Sequence, residues 1–224
     1  MKTKKPILTI LFALLFAFPA CAQQTFHYQT YDKKTGKIFN HFSIVIGNRQ
    51  GNYVHAQFDM QGQDVTLDSG QEEYILDKEF NTNWFRCTQK DQNTEYIGER
   101  RENLLLLEGM FKGEKIKKEI SLERKPFYFN PKIGLMHFVQ SGKKSQEFWT
   151  LKKDDLSGYL MAAERKGLEE ISLGDRKVKA VKVEWAPVGF GSFFFKRTYW
   201  FREKDGAYLK QIVSGSKVRE LIVE

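Results

Sequence analysis

Cysteine is nearly missing from this chain of 224 residues, which carries only Cys21 and Cys87. A disulfide framework of the kind that staples small secreted domains is therefore excluded. Histidine is almost as scarce: His27, His41, His55 and His137 form no H-x-H or H-x₃-H pair. Without closely spaced nitrogen and sulfur ligands, no metal site is expected. No stretch is rich in Pro or Ser, no segment has low complexity and no internal repeat stands out, so a single domain is expected. No catalytic constellation is found, and no cofactor is implied.

The N-terminus holds the one sustained apolar run. Lys2, Lys4 and Lys5 precede Ile7 to Phe18, and Pro19-Ala20-Cys21-Ala22 follows. This run is shorter than the about 20 apolar residues that cross a bilayer. A basic start, a short apolar middle and small residues at the end make a secretory signal over residues 1–22. Two processing routes are open. Ala20-Cys21-Ala22 reads as an A-x-A cleavage site, releasing a soluble periplasmic chain from Gln23. Alternatively, Cys21 is a candidate lipidation site anchoring the chain to the outer membrane, although Phe18 and Pro19 suit that route poorly. The first route is the expected one.

Charge excludes a further class. The formal net charge is +8, and without the three signal lysines 33 bases face 28 acids. The signs alternate, as in Glu164-Arg165-Lys166, instead of clustering into a basic stripe. Such patterning suits a solvated sheet face, and nucleic acid is not expected as a partner. Cys87, inside the strand-like Asn83-Trp-Phe-Arg-Cys-Thr-Gln89, reads as a small apolar strand residue.

Turn signals recur through the remainder at the spacing of all-β folds: Lys34-Thr-Gly36, Gly47 to Gly51, Lys112-Gly-Glu114, Gly174-Asp-Arg176 and Asp205-Gly206. Phe42, Ile44 and Ile46 alternate with His41, Ser43 and Val45. After the turn, Val54, Ala56, Phe58 and Met60 alternate with Tyr53, His55, Gln57 and Asp59. Period two puts each set on one face. His41, Ser43, His55 and Asp59 share the polar face, and are expected to be solvated surface, not a catalytic triad. A second hairpin joins Leu104–Phe111 to Ile116–Leu122; Leu104 to Leu107 are apolar on both faces, which predicts cover on both sides or an adjoining apolar cavity.

One helix is expected, over about residues 131–141. Asn130 is a good N-cap, Pro131 suits the first turn and Ser141-Gly142 make a natural stop. Its apolar character on nearly every side predicts burial, either as a plug in a curved sheet or as cover for one face. Later strands are expected at 147–151, 168–173, 177–185, 193–202, 207–213 and 217–223, with 156–166 read as strand over helix. Alternation slips between Ala180 and Val181, predicting a bulge near Ala180.

The most aromatic stretch is Ser192-Phe-Phe-Phe-Lys-Arg-Thr-Tyr-Trp-Phe-Arg202. Parity places Phe193, Phe195, Arg197, Tyr199 and Phe201 on one face, with the other plausible as exterior. An ordinary core has the first claim on four aromatic rings. Arg197 among them must reach solvent, pair with a carboxylate, stack on a ring, or meet the head group of a ligand.

Four stretches, Gly109–Phe129, Glu147–Leu151, Met161–Trp185 and Tyr199–Tyr208, resemble a family of uncharacterised exported bacterial β-rich proteins known as a domain of unknown function. Such proteins are similar in architecture to the Lol-type periplasmic lipoprotein carriers. That resemblance implies an incomplete antiparallel β-barrel around an apolar cavity and a lipid or lipoprotein acyl chain as partner. It carries over no active-site residues.

The expected fold class is thus mainly β: a strongly curved antiparallel sheet or incomplete β-barrel over residues 23–224, with one short buried helix. The expected role is non-enzymatic binding of a lipid or other apolar ligand in the cell envelope. The ligand-binding candidates are Phe193, Phe195, Arg197, Tyr199, Phe201, Trp149 and Trp185, with Arg197 as head-group anchor. The alternative is an envelope scaffold with a filled core and no small-molecule ligand.

Overall fold

The computed structural model describes residues 23–50, 53–62, 70–189 and 195–222. The first eight strands are β1 (Gln24–Asp32), β2 (Ile38–Gln50), β3 (Tyr53–Gly62), β4 (Gly70–Asp77), β5 (Thr82–Gln89), β6 (Thr94–Arg101), β7 (Leu104–Phe111) and β8 (Glu114–Ser121). Helix α1 (Pro131–Gln140) comes next. It is followed by β9 (Ser145–Lys152), β10 (Ser157–Leu173), β11 (Arg176–Pro187), β12 (Arg197–Arg202), β13 (Tyr208–Ser214) and β14 (Lys217–Leu221).

All these strands belong to one sheet, ordered β8-β7-β6-β5-β4-β3-β2-β1-β14-β13-β12-β11-β10-β9. Two antiparallel meanders are therefore joined through the first and last strands, with Tyr28 opposite Leu221 and Asp32 opposite Lys217. Side chains reinforce this joint: Arg219 Nε donates to Thr30 Oγ1 at 3.0 Å, and the Tyr31 hydroxyl donates to Glu220 Oε1 at 2.9 Å. The edge strands β8 and β9 do not pair. Instead Lys112 Nζ donates to the Asp154 carbonyl (2.7 Å) and Lys118 Nζ to that of Leu156 (2.9 Å), tying β7–β8 to the β9–β10 turn. The sheet is a barrel left incomplete at this seam.

Period-two alternation builds the interior. Phe42, Ile44, Val54, Ala56, Phe58 and Met60 are buried as the first hairpin requires. A ladder of rings crosses four strands: Tyr208 to Tyr28 (5.3 Å between centroids), Tyr28 to Phe42 (4.6 Å, stacked) and Phe42 to Phe58 (5.2 Å). Opposite them, Phe85 stacks on Phe129 at 3.8 Å. Gly98 faces Phe85 across β5 and β6, and a Cβ there would lie 2.0 Å from the ring. Only glycine leaves the space that this ring fills.

Helix α1 lies where its caps place it. Asn130 is extended, and its side chain accepts from the Lys132 N–H; Pro131 occupies the first turn. Ile133, Leu135, Met136, Phe138 and Val139 are buried, so apolar cover on many sides is satisfied by the barrel wall. The preceding residues cross the interior as a short extended segment. Thr82 N–H donates to the Phe127 carbonyl (2.8 Å), and Tyr128 N–H to that of Trp149 (2.9 Å). The helix C-terminal half meets the β12–β13 turn, where Gln140 Nε2 donates to the Asp205 carbonyl at 2.6 Å. Gly206 (φ +68°) fits there because a Cβ would sit 2.3 Å from the Met136 carbonyl oxygen. The helix is a plug.

Several local expectations need correction. Residues 157–173 form one continuous strand, not a segment at 156–166 followed by another at 168–173. The register shift falls on β10 between Arg165 and Gly167, with Gly167 at φ +119°, and not near Ala180. Pairing of β11 with β12 runs unbroken from Ala180 to Trp185. The apparent slip arises because both faces of β11 are covered: Val181, Val183 and Trp185 point inward, while Ala180 and Val178 join Ile171, Leu173, Trp200 and Leu209 in a second apolar cluster. Trp200 is accordingly buried, not exterior, and its indole N–H donates to Glu169 Oε1 at 2.5 Å. Leu104 to Leu107 are not covered on both faces. Leu105 and Leu107 are buried, whereas Leu104 is 41% exposed.

Candidate functional site: a cavity at the open end of the barrel

The packed core does not extend to one end of the barrel. Beyond the N-terminus of α1 lies a cavity of about 700 Å³, within the range of small-molecule sites. Its apolar wall comes from facing strands: Phe58 and Met60 on β3, Met161 on β10, Trp185 on β11 and Tyr199 on β12, with Phe129 ahead of the helix. Inward parity on each strand brings these residues together. Closure of the sheet brings β3 opposite β10.

A buried polar cluster interrupts this wall. Glu72 is 3% exposed on β4, between Phe58 and Cys87 in the register. Its carboxylate accepts from the Tyr74 hydroxyl, from the Lys153 ammonium and, at 3.4 Å, from Asn130 Nδ2. Asn130 Nδ2 also reaches the Tyr74 oxygen at 3.3 Å. The residue that caps the helix is therefore bonded to the cavity's buried acid. Burial, reinforced by the Glu72 charge, pushes the Tyr74 phenol well above its ordinary value.

Cys87 also lines the cavity. Burial pushes its thiol up to about 11, with the Glu72 charge acting in the same direction and Lys153 against it. The thiolate is the nucleophile, so this group is inert at neutral pH. Iodoacetamide at pH 7.5 should leave the folded protein's mass unchanged and add one adduct at Cys87 on unfolding; labelling should accelerate as pH rises toward 11. Rapid modification of the folded protein at pH 7.5 would contradict this environment.

Four of the sequence-selected residues meet at the cavity: Trp185, Phe195, Arg197 and Tyr199. Arg197 is exposed, with its guanidinium 5.6 Å from the Trp185 ring and 5.0 Å from that of Phe195. It stacks on rings at the wall. Phe201 does not reach the cavity; it is fully buried against Tyr199 and Tyr208. Trp149 is half-buried on the edge strand, paired with Phe127, and is not part of the lining. Phe193 and Cys21 lie outside the described residues.

Sequence reasoning did not find Glu72, Lys132, Lys153 or Arg219, which also line the cavity. Charged residues at inward parity, such as Glu72 in Glu72-Glu73-Tyr74 and Arg219 in Val218-Arg219-Glu220, were the available signal. The polar outer face behaves as a surface. Ser43 faces Asp59 and His27 in the register, but on the side of the sheet away from the core. Among the described residues, no group of three or more His, Cys, Asp or Glu side chains could hold a metal ion.

Fold and cavity together define an incomplete antiparallel β-barrel, plugged by one helix, with a ligand-sized interior. No protein-family model and no curated protein matches the chain. Among solved structures it is similar to a β-barrel-like protein of domain of unknown function DUF1849 from Brucella abortus, with a TM-score of 0.57 and 9% identity over 89% of this chain and 94% of that one. It is less similar to the hypothetical lipoprotein YmcC from Escherichia coli, at a TM-score of 0.36 and 9% identity over 88% and 86% of the two chains. The first likeness shows the fold: the β-barrel-like architecture expected from the sequence is shared with an uncharacterised domain.

Proposed function

We propose that this chain is an exported, non-enzymatic protein of the bacterial cell envelope that holds a lipid or other apolar molecule inside its barrel. The observation that carries this reading is the cavity of about 700 Å³ walled by Phe58, Met60, Phe129, Met161, Trp185 and Tyr199. Burying apolar surface yields about 25 cal/mol per Å², so the apolar part of this wall favours an occupant that covers it. Residues 1–22 act as the export signal, leaving residues 23–224 as the mature domain. That domain is soluble in the periplasm, or attached through Cys21 to the outer membrane. Arg197 and the rings of Trp185 and Phe195 form one wall of the site. A scaffold with a filled core fits less well, because it gives this cavity no role.

The test is native mass spectrometry of the mature protein purified from periplasm without detergent, followed by solvent extraction. A co-purifying lipid or fatty acid is expected. An apo mass, together with failure of the protein to take up any added alkyl ligand, would overturn the reading.

A further inference from the structure

Resting on that reading, we infer that the cavity takes a single-chain amphiphile with an anionic head group, held over the Phe58 ring by Lys132 and Lys153. Charge is the first argument. The lining contains five basic side chains, Lys132, Lys152, Lys153, Arg197 and Arg219, against two acidic ones, Glu72 and Asp154. Lys152 faces Asp155 and Lys153 faces Glu72, and with those pairs included the wall stays net basic. Charges in a partly desolvated wall attract an anion far more strongly than the same charges in water.

Placement is the second argument. Lys132 Nζ and Lys153 Nζ lie 5.6 and 5.9 Å from the centroid of the same ring, Phe58. Lys153 is also 5.4 Å from the Phe129 centroid. Arg219 is 7% exposed and sits 5.1 Å from the Phe42 ring, itself 5.2 Å from Phe58. Three cations thus line two adjacent rings of the ladder. Glu72 brings one negative charge to this group, shared among Lys153, Tyr74 and Asn130. A carboxylate or phosphate head group at this end of the cavity would accept charge-assisted hydrogen bonds from Lys132 and Lys153.

Size is the third. A cavity of about 700 Å³ lies in the range of small-molecule sites, and one acyl chain with a small head group falls within that range. Met60 and Met161 also line the cavity, and unbranched thioethers adapt readily to a flexible chain.

The experiment uses the delipidated mature protein and titration calorimetry with dodecanoate and with 1-dodecanol, below their aggregation limits at pH 8. Dodecanoate should bind at least tenfold more tightly, with one molecule per chain and a preference that shrinks as salt rises. Lys132→Gln, which leaves the Glu72–Lys153 pair intact, should lower dodecanoate affinity several-fold and leave dodecanol unchanged. Lys132→Gln/Lys153→Gln should abolish the preference. Equal affinities for the two ligands in the wild type would overturn the head-group site while leaving an apolar binding protein. Tighter binding of a two-chain phosphatidylglycerol than of dodecanoate would overturn the single-chain assignment. Binding of neither ligand would overturn the cavity reading together with this one.

Discussion

Phe85→Ala is expected to lower the unfolding free energy by about 3–5 kcal/mol, measured by urea denaturation. The ring is fully buried, stacks on Phe129 and contacts Phe127 and Tyr96 edge-on or tilted. Phe127 and Phe129 belong to the crossing segment that leads into α1, so the substitution removes support beneath the plug and leaves a void in the wall. The reciprocal change is equally informative. Gly98→Val puts a branched side chain where even a Cβ would meet the Phe85 ring at 2.0 Å. Overpacking of this kind costs about 1–3 kcal/mol, sometimes more, although valine otherwise suits a strand better than glycine does. The Phe85→Ala/Gly98→Val pair should be clearly more stable than the sum of the single changes predicts, because each fills or vacates the same space. Additive losses would mean that the ring and the glycine do not share that space.

Glu72→Leu is the second large expected effect. Removing one partner of a buried charged pair costs about 3–5 kcal/mol when the other charge stays buried. Here the Lys153 side chain is 37% exposed and can turn toward water, which places the loss nearer the lower end. What cannot escape is the Tyr74 hydroxyl, 2% exposed as a residue and left without its acceptor. An unsatisfied buried donor costs about 1–3 kcal/mol. Glu72→Leu/Tyr74→Phe should therefore recover part of the stability lost by Glu72→Leu alone. A double variant as unstable as the sum of both singles would show that the two groups act independently.

The contrast between these two clusters marks what could be read from residue order. Phe42, Ile44, Phe58 and Met60 disclose their face because hairpin alternation is a local property. Asn130-Pro131 discloses a helix start for the same reason. Arg197 was legible as an anomaly among aromatics, and the structure gives it rings to stack on. Glu72 and Lys153 are 81 positions apart in sequence. Nothing local to either announces the other, since they meet only when the two meanders close around the interior. Phe201 shares its parity with Tyr199 but sits deeper, and parity does not encode depth along a barrel axis. Trp200 and Ala180 misled for a different reason. A strand with cover on both faces loses the alternation that distinguishes inside from outside, so a second small apolar cluster looks like a slipped register.

The joint between β1 and β14 bears on how the chain comes to be folded. Every other pairing in the sheet links strands that follow one another, and each can zip as soon as its hairpin has been made. Tyr28 must wait for Leu221, almost the whole length of the chain later. Until then two half-sheets exist side by side, each with an unpaired strand edge at the place that will become the middle of the wall. Such edges are templates for pairing with other chains, and long-range closure is the slow step in β folds. The interval between the first strand's arrival and the last is thus the period of greatest exposure to misassembly, and it ends only when the final strand docks.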